Sequence, residues 1–238
     1  DTTGVHKLTS NFLRSLGVNT ATINPKNIKI YGHGGKSLPL LNSDTQSYDM
    51  IENTIQVIGE DDFTFNDDDY ILMYAIGPKK YNSDNNSHIN PYSDDAFYYL
   101  NISSGNGSRM NLATEPNTAA NVTFETFHDY KVVESDEYNI AKLGRRWFGH
   151  RFYVENTREF NFDFPNIITS SQINLKVYVA ATSESNTSMS LKLNGSEVNN
   201  FSFSSIDSQL LASEDSFNEL LNISSSTVSV ELNYNNNG

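Results

Sequence analysis

Residues 187 to 203, TSMSLKLNGSEVNNFSF, contain the pattern that decides the fold class. Met189, Leu191 and Leu193 alternate with polar residues, and a period of two places one face of a β-strand in a core. Asn194 and Gly195 follow them. A type I′ turn needs positive φ at both central positions, which Asn and Gly adopt most easily. The stretch therefore predicts a β-hairpin.

The same alternation recurs on both sides of this hairpin. It is found at Phe160, Phe162 and Phe164, at Ile173, Leu175, Val177 and Val179, and at Val228, Val230, Leu232 and Tyr234. Repeated alternating strands with polar turns are typical of an antiparallel β-sandwich or jelly roll. Residues 205 to 222 are predicted either as a helix that covers an edge of this sandwich or as two strand-and-loop pieces.

The first half of the chain predicts strands and one short helix. GVHKLT, at the start, has the pattern of a strand, and Thr9 or Ser10 can cap a helix near residues 10 to 16 that Gly17 ends. A further short helix is predicted at 134 to 144. We therefore expect a mainly β chain with one or two short helices.

The domain organisation follows from a polar, turn-rich stretch at 103 to 121, which predicts a long loop or linker. We expect an N-terminal β-rich domain at 1–124, which contains the short helix, and a β-sandwich domain at 125–238. Residues beyond the chain end could complete the last strand of this sandwich.

Composition limits the classes of function. The chain has 238 residues, a formal net charge of -13 and no cysteine. An acidic surface disfavours a nucleic-acid partner, because phosphate backbones select basic surfaces. The longest apolar run, residues 70 to 76, is far short of the roughly 20 residues that span a bilayer. Without cysteine there is no disulfide, thiolate metal site or cysteine nucleophile in these residues.

Two further motifs contain residue types that can bind a metal ion or take part in catalysis. Asp67, Asp68 and Asp69 are the best calcium candidates, but their stretch lacks the EF-hand spacing, so a solvated turn is favoured. His33 lies between glycines in YGHGG, and it is predicted to be an exposed loop residue because no partner nucleophile exists. The histidines lack zinc-ligand spacing, and we expect no metal or other cofactor.

The stretch at 142 to 152, KLGRRWFGHRF, is basic and contains the single tryptophan of an acidic chain. If the stretch is a ligand site, its arginines and Trp147 could bind an anionic or carbohydrate ligand by stacking and bidentate hydrogen bonds. As structure, its aromatic residues would pack between the domains while the arginines pair with carboxylates, and this interpretation is favoured. The candidate residues for an interaction or a domain junction are Arg145, Arg146, Trp147, Phe148, His150 and Arg151.

Five spaced motifs occur in order along the chain. They are TGVHKLTSNFLRSLGVNTATINPKNIKIYGHGG at 3–35, IQVIGEDD at 55–62, FNDDDYILMYAIGP at 65–78, HINPYSDDAFYYL at 88–100 and a G-R-x-W-x-G-x-x-F pattern at 144–152. Together they resemble the PorU family, gingipain-like cysteine peptidases that act as the sortase of the type IX secretion system in Bacteroidetes. His33 departs from the small or polar residue that the family has at this position.

The resemblance implies a non-catalytic N-terminal region, since the family's peptidase domain, with its catalytic His and Cys, lies C-terminal to it. It also implies export to the outer membrane and cell surface. The implied partners are the chain's own peptidase domain and the outer-membrane β-barrel and accessory proteins of the secretion complex. Two alternatives stay open. One is a propeptide-like inhibitor or chaperone, and the other is a carbohydrate-binding module that uses Trp147, Tyr153 or Tyr178.

Overall fold

The computed structural model describes residues 2–39, 41–45, 47–82, 87–140, 142, 146–207 and 211–235. Contacts divide the chain into an N-terminal unit, Asp1–Val122, and a C-terminal unit, Thr123–Gly238. In the described ranges, twelve strands form four sheets, and every pairing between these strands is antiparallel. The prediction of a mainly β fold is therefore confirmed.

The N-terminal unit contains six strands, one α-helix and three turns of 3-10 helix. The strands are β1 (Gly4–Thr9), β2 (Ile28–Tyr31), β3 (Glu52–Asn53), β4 (Gln56–Ile58), β5 (Tyr70–Ala75) and β6 (Tyr99–Ile102). The helix α1 is Ser10–Ser15, and the 3-10 turns are Thr20–Thr22, Pro25–Asn27 and Glu60–Asp62. The strand order is β1-β5-β4 in one sheet and β3-β2-β6 in the other.

Helix α1 forms where the sequence predicts it. The hydroxyl of Thr9 accepts the backbone N–H of Phe12 at 3.2 Å, which satisfies one of the amides left free at a helix N-terminus. Leu13 is then completely buried. It packs in one cluster with Ile28 of β2 and Ile71 of β5, so the helix holds the two sheets around a common core.

The glycines of YGHGG allow backbone segments to approach closely. The N–H of Gly35 donates to the carbonyl of Ile76 at 2.8 Å. A β-carbon on Gly35 would lie 2.4 Å from the nitrogen of Pro78, which is inside van der Waals contact. His33 itself is exposed, as predicted. The motif therefore has a packing explanation that needs no catalytic role for the histidine.

Part of the predicted linker is docked onto the N-terminal unit. The carbonyl of Ser108 accepts the N–H of Ile55 at 3.2 Å, and the N–H of Met110 donates back to Ile55 at 2.9 Å. Arg109 pairs with Glu60 at 2.8 Å and donates to the carbonyl of Pro25 at 2.9 Å. Composition predicts the loop at 103 to 121 but does not reveal these contacts, which hold residues 108 to 110 against the N-terminal unit.

The C-terminal unit contains six strands around one core. They are β7 (Thr157–Asp163), β8 (Ile173–Ala181), β9 (Thr187–Leu193), β10 (Ser196–Phe203), β11 (Ser213–Leu221) and β12 (Thr227–Asn235). A four-stranded sheet has the order β10-β9-β12-β7, and β11 and β8 form a second sheet. Both sheets contribute apolar side chains to the same cluster, as a sandwich requires.

The predicted hairpin joins β9 to β10. Asn194 and Gly195 have φ values of 48° and 81°, so both lie in the left-handed region that a type I′ turn needs. The side-chain oxygen of Asn194 also accepts the N–H of Ser229 at 2.7 Å. This bond ties the turn to β12, so the turn contributes to tertiary structure as well as to local structure.

The structure decides two helix predictions in this unit against the helix. Residues 213 to 221 form strand β11, whose backbone pairs residue by residue with β8, so the strand-and-loop alternative for 205 to 222 is the better description. In the described part of 134 to 144 there is no helix, because Tyr138 instead forms an antiparallel bridge with Phe148. In both places tertiary pairing overrides a weak local preference for helix.

Candidate functional site

The candidate site is the Arg-Trp segment, defined here as residues 146–151. Its backbone is fixed by the bridge between Phe148 and Tyr138, in which each N–H donates to the other carbonyl at 2.8 Å. The N–H of Glu137 donates to the carbonyl of Phe148 as well, at 3.1 Å. Three backbone hydrogen bonds therefore hold the centre of the segment in place.

The next two residues complete this anchor. A β-carbon on Gly149 would lie 2.2 Å from the hydroxyl oxygen of Ser135, so only glycine fits at this position without movement. His150 has a φ of 48°, which is uncommon outside glycine. Its ring stacks on Phe160 of β7 with centroids 5.4 Å apart, and its Nδ1 lies 3.7 Å from a carboxylate oxygen of Glu137.

The two described arginines of the segment point to separate partners within the C-terminal unit. Arg146 forms an ion pair with Glu214 of β11 at 3.0 Å. Arg151 places its guanidinium 4.6 Å from the centre of the Tyr138 ring, which is the geometry of a cation–π contact. The carbonyl of Arg151 accepts a hydrogen bond from Arg158 of β7 at 3.3 Å. Both arginines are exposed, so these contacts leave donors facing solvent.

Trp147 is 40% exposed and is therefore not a core residue. In the chain it lies between Arg146 and Phe148, and the Arg146 guanidinium is 5.9 Å from the centre of the Phe148 ring. An exposed indole can stack on a planar group, and an exposed guanidinium can hydrogen-bond an anion. Five of the six predicted residues lie in this segment because they are neighbours in the sequence; the sixth, Arg145, lies outside the described residues. Their role at an interaction surface or a domain junction stays a prediction.

The aspartates at 67 to 69 have separate structural contacts. Asp67 pairs with Arg14 at 2.7 Å, and Asp69, which is 8% exposed, accepts the N–H of Asn66 at 2.7 Å. Asp68 is exposed. Across the residues that the structure describes, no three His, Cys, Asp or Glu side chains form a group suited to a metal ion. Calcium binding by Asp67, Asp68 and Asp69 stays a prediction.

Nearby, Asp62 organises the turn that precedes them. Its carboxylate accepts the backbone N–H of Thr64 at 3.0 Å and the side-chain amide of Asn66 at 3.0 Å. The hydrogen bond from the Thr64 backbone is the main reason that the pKa of Asp62 lies below its usual value. The acidic stretch is therefore ordered by hydrogen bonds to its own backbone.

Sequence reasoning missed the residues that support the Arg-Trp segment. Ser135 contacts Gly149, Glu137 faces His150, and Phe160 receives the His150 ring. The available signal was Gly149 itself, since a glycine between aromatic residues marks a close backbone approach. The glycine predicts a close approach but not the residue that approaches it, because Ser135 is distant in sequence.

The geometry defines a class: a cysteine-free, β-rich chain of two units that presents an anchored basic and aromatic segment. No family model matches the chain, and no curated protein matches it either. Among solved structures it is similar to PorU from Porphyromonas gingivalis, in a crystal structure described as dimeric latent PorU. The TM-score is 0.66 and the sequence identity is 22%, over 98% of this chain and 22% of the PorU chain.

This similarity confirms, at the level of fold, the resemblance to a PorU-like region that the sequence motifs predicted. The chain spans about a fifth of the length of the PorU chain that it matches. Among the described residues, no helix is long and apolar enough to cross a membrane.

Proposed function

We propose that this chain is a non-catalytic scaffold and docking region of a type IX secretion sortase. The parent would be a gingipain-like cysteine endopeptidase that removes C-terminal sorting domains from secreted cargo at the cell surface. The observation that carries the proposal is the fold similarity to PorU over 98% of this chain. The lack of cysteine agrees with it, because peptidases of this kind need a thiolate nucleophile.

In this proposal the peptidase domain follows residue 238 in the parent chain. The exported protein is held at the outer membrane by the β-barrel and accessory proteins of the secretion complex. Arg146, Trp147 and Arg151 form the docking surface, because all three are exposed and because Trp and Arg are the side chains that most often anchor protein interfaces. The charge contrast with the rest of an acidic chain would orient the encounter.

A binding experiment with purified components tests this role. The 238-residue chain is immobilised, and the purified barrel and accessory proteins of the secretion complex are passed over it. We expect retention that is lost in the double variant Trp147→Ala and Arg151→Ala. Tyr153→Ala is the matched control, because Tyr153 is an exposed aromatic residue, at 87%, outside the Arg-Trp segment. If the separately made peptidase domain retains the partner proteins and the immobilised 238-residue chain does not, the docking role is refuted.

A second candidate function is inhibition of the attached peptidase in the manner of a propeptide. It is favoured by the description of the solved PorU as latent, a word used for an enzyme held inactive. Adding the 238-residue chain to the separately made catalytic domain is then expected to slow cleavage of a peptide substrate. Equal rates with and without the chain would exclude this function and leave the docking proposal untouched.

A further inference from the structure

The outer face of the two-stranded sheet, formed by β8 and β11, supports a further inference. Side chains alternate along a strand, so the residues between the core-facing ones point to solvent. Three facing pairs of exposed residues form what we call the outer patch, namely Asn174 with Leu220, Lys176 with Asn218 and Tyr178 with Ser216. The pairs are adjacent along the strands, so the patch is continuous and about 13 Å long.

The polar groups of the outer patch have no partner of their own. Within the part of the chain that the structure describes, Lys176 makes no ion pair, and neither do the amides of Asn174 and Asn218 make a hydrogen bond. The same holds for the hydroxyl groups of Tyr178 and Ser216. The patch therefore presents donors and acceptors that are free to bind a ligand.

The outer face of the four-stranded sheet is built differently. Its polar side chains bond to one another across neighbouring strands, in the pairs Lys192 with Glu231 at 2.8 Å, Ser229 with Glu159 at 2.7 Å and Asn233 with Thr157 at 2.9 Å. Such pairs stabilise a sheet and occupy its polar groups. The contrast between the two faces of one sandwich singles out the outer patch as the face equipped for binding.

The groups on the outer patch match the chemistry of a sugar. The ring of Tyr178 is 47% exposed, and the C–H face of a sugar ring packs on such an aromatic surface. An amide both donates and accepts hydrogen bonds, so Asn174 and Asn218 can each engage two neighbouring sugar hydroxyls. Leu220, which is 59% exposed, adds apolar surface at the other end of the patch.

The charge of the outer patch indicates an acidic sugar. Lys176 lies at the centre of the patch, and its ammonium group is unpaired among the described residues, although the chain has a formal net charge of -13. Glu214, on the same face beyond Ser216, is already paired with Arg146 at 3.0 Å. The ammonium group of Lys176 is therefore available for a carboxylate of the ligand.

We propose that the outer patch binds an acidic polysaccharide. The ring of one uronic acid unit packs on Tyr178, and its carboxylate pairs with Lys176. Asn174, Ser216 and Asn218 hydrogen-bond the hydroxyls of this unit and of the next one. The face is open and offers few contacts, so we expect a dissociation constant of roughly 0.1 to 1 mM for a short oligosaccharide. This binding is independent of the docking role proposed for the Arg-Trp segment.

Calorimetric titration of the 238-residue chain is the first test. The probes are acidic oligosaccharides from alginate, pectin and hyaluronate, and each is compared with its carboxyl-reduced form, which has the same backbone without the charge. We expect at least one acidic probe to bind, and its reduced form to bind about tenfold or more weakly. If no probe binds at about 10 mM, or if acidic and reduced forms bind equally, the proposal is overturned.

Substitutions locate the site. Tyr178→Ala should weaken binding about tenfold or more, because it removes the surface on which the sugar packs. Lys176→Met should abolish the preference for the acidic form over the reduced form. Tyr74→Ala is the matched control, since Tyr74 is a strand tyrosine of the N-terminal unit with a similar exposure of 55%.

All three substituted side chains are exposed, so each variant should keep the melting temperature of the parent. Tyr74→Ala should also keep its affinity for the oligosaccharide. If Tyr178→Ala binds like the parent, or if Tyr74→Ala loses as much affinity as Tyr178→Ala, the site lies elsewhere and the proposal is wrong.

A peptide probe distinguishes a sugar site from a general anion surface. Oligoglutamate of the same charge as the oligosaccharide has carboxylates but no sugar ring to pack on Tyr178. We expect it to bind about tenfold or more weakly than the oligosaccharide, and Tyr178→Ala to have no effect on it. Equal affinities for the two probes, weakened alike by Tyr178→Ala, would identify the patch as an anion surface and refute the proposal.

Discussion

At the scale of single residues, Glu52 has a contact that the sequence does not reveal. One carboxylate oxygen accepts the backbone N–H of Ser108 at 2.6 Å, and this hydrogen bond is the main reason that the pKa of Glu52 lies below its usual value. The other oxygen lies 3.5 Å from the hydroxyl of Tyr31. The pKa of Tyr31 is raised, first by burial and then by the charge of Glu52.

This contact predicts a pH-dependent contribution to stability. A carboxylate with a lowered folded pKa stabilises the protein above its unfolded pKa, and the contribution is lost as pH falls through the folded value. Glu52→Gln should therefore lower the free energy of unfolding at neutral pH by on the order of 1 kcal/mol after allowance for solvent screening. Urea unfolding of both proteins should show the difference closing in acid. A difference that stays constant with pH would contradict this assignment.

Trp147 gives a second prediction at this scale. Because its side chain is 40% exposed, Trp147→Ala should lower the free energy of unfolding by only about 1 kcal/mol. Phe203, which is 2% exposed, is the reference, and Phe203→Ala should cost about 3 to 5 kcal/mol. Denaturant unfolding compares the two. Equal losses would show that the indole is a structural clamp, as the domain-junction interpretation holds.

At the scale of elements, the turn between β9 and β10 combines local and tertiary demands. Asn194→Gly keeps the positive φ but loses the side-chain acceptor for Ser229, whereas Asn194→Ala loses the acceptor and also adds strain in the left-handed region. We expect unfolding free energies to fall in the order parent, glycine variant, alanine variant, with the last about 1 to 2 kcal/mol below the parent. If the two variants were equally stable, backbone strain at this turn would be negligible.

The elements also show where sequence patterns succeed. Alternating apolar and polar residues are enough to predict a strand, and an Asn-Gly pair is enough to predict a tight turn. The sequence therefore predicted β8, β9, β12 and the turn at Asn194. For strand β11 the sequence left helix and strand as alternatives, because Asp215 and Glu219 interrupt the alternation on its core-facing side. The two charges are tolerated there because the strand lies at an edge, which is a property of the sheet.

At the scale of the whole molecule, two separate cores predict two unfolding events. Leu13 is completely buried in the cluster of the N-terminal unit, and Phe203 belongs to the cluster of the C-terminal unit. In calorimetry Leu13→Ala should lower the midpoint temperature of one transition, and Phe203→Ala should lower that of the other. Each substitution removes buried volume from its own core. A single transition that both variants shift equally would mean that the chain unfolds as one cooperative unit.

The sequence predicted which segment forms the candidate site, but not which residues hold that segment in place. The contrast between arginines around one tryptophan and an acidic chain identified the segment from the sequence. Its anchors could not be found in this way, since Ser135, Glu137, Phe160 and Glu214 meet it only after the strands pair. Loop residues show no regular alternation of apolar and polar residues, so their sequence does not predict which residues they contact.

The sequence by itself determined the β class, the capped helix α1, the hairpin turn and the exclusion of cysteine chemistry. Each depends on neighbouring residues or on composition alone. Only the tertiary structure decided that Arg109 docks onto the N-terminal unit, that residues 213 to 221 form a strand and that Trp147 is exposed. The reason is physical: burial and hydrogen-bond partners belong to pairs of segments brought together by folding, and a local pattern specifies only one member of each pair.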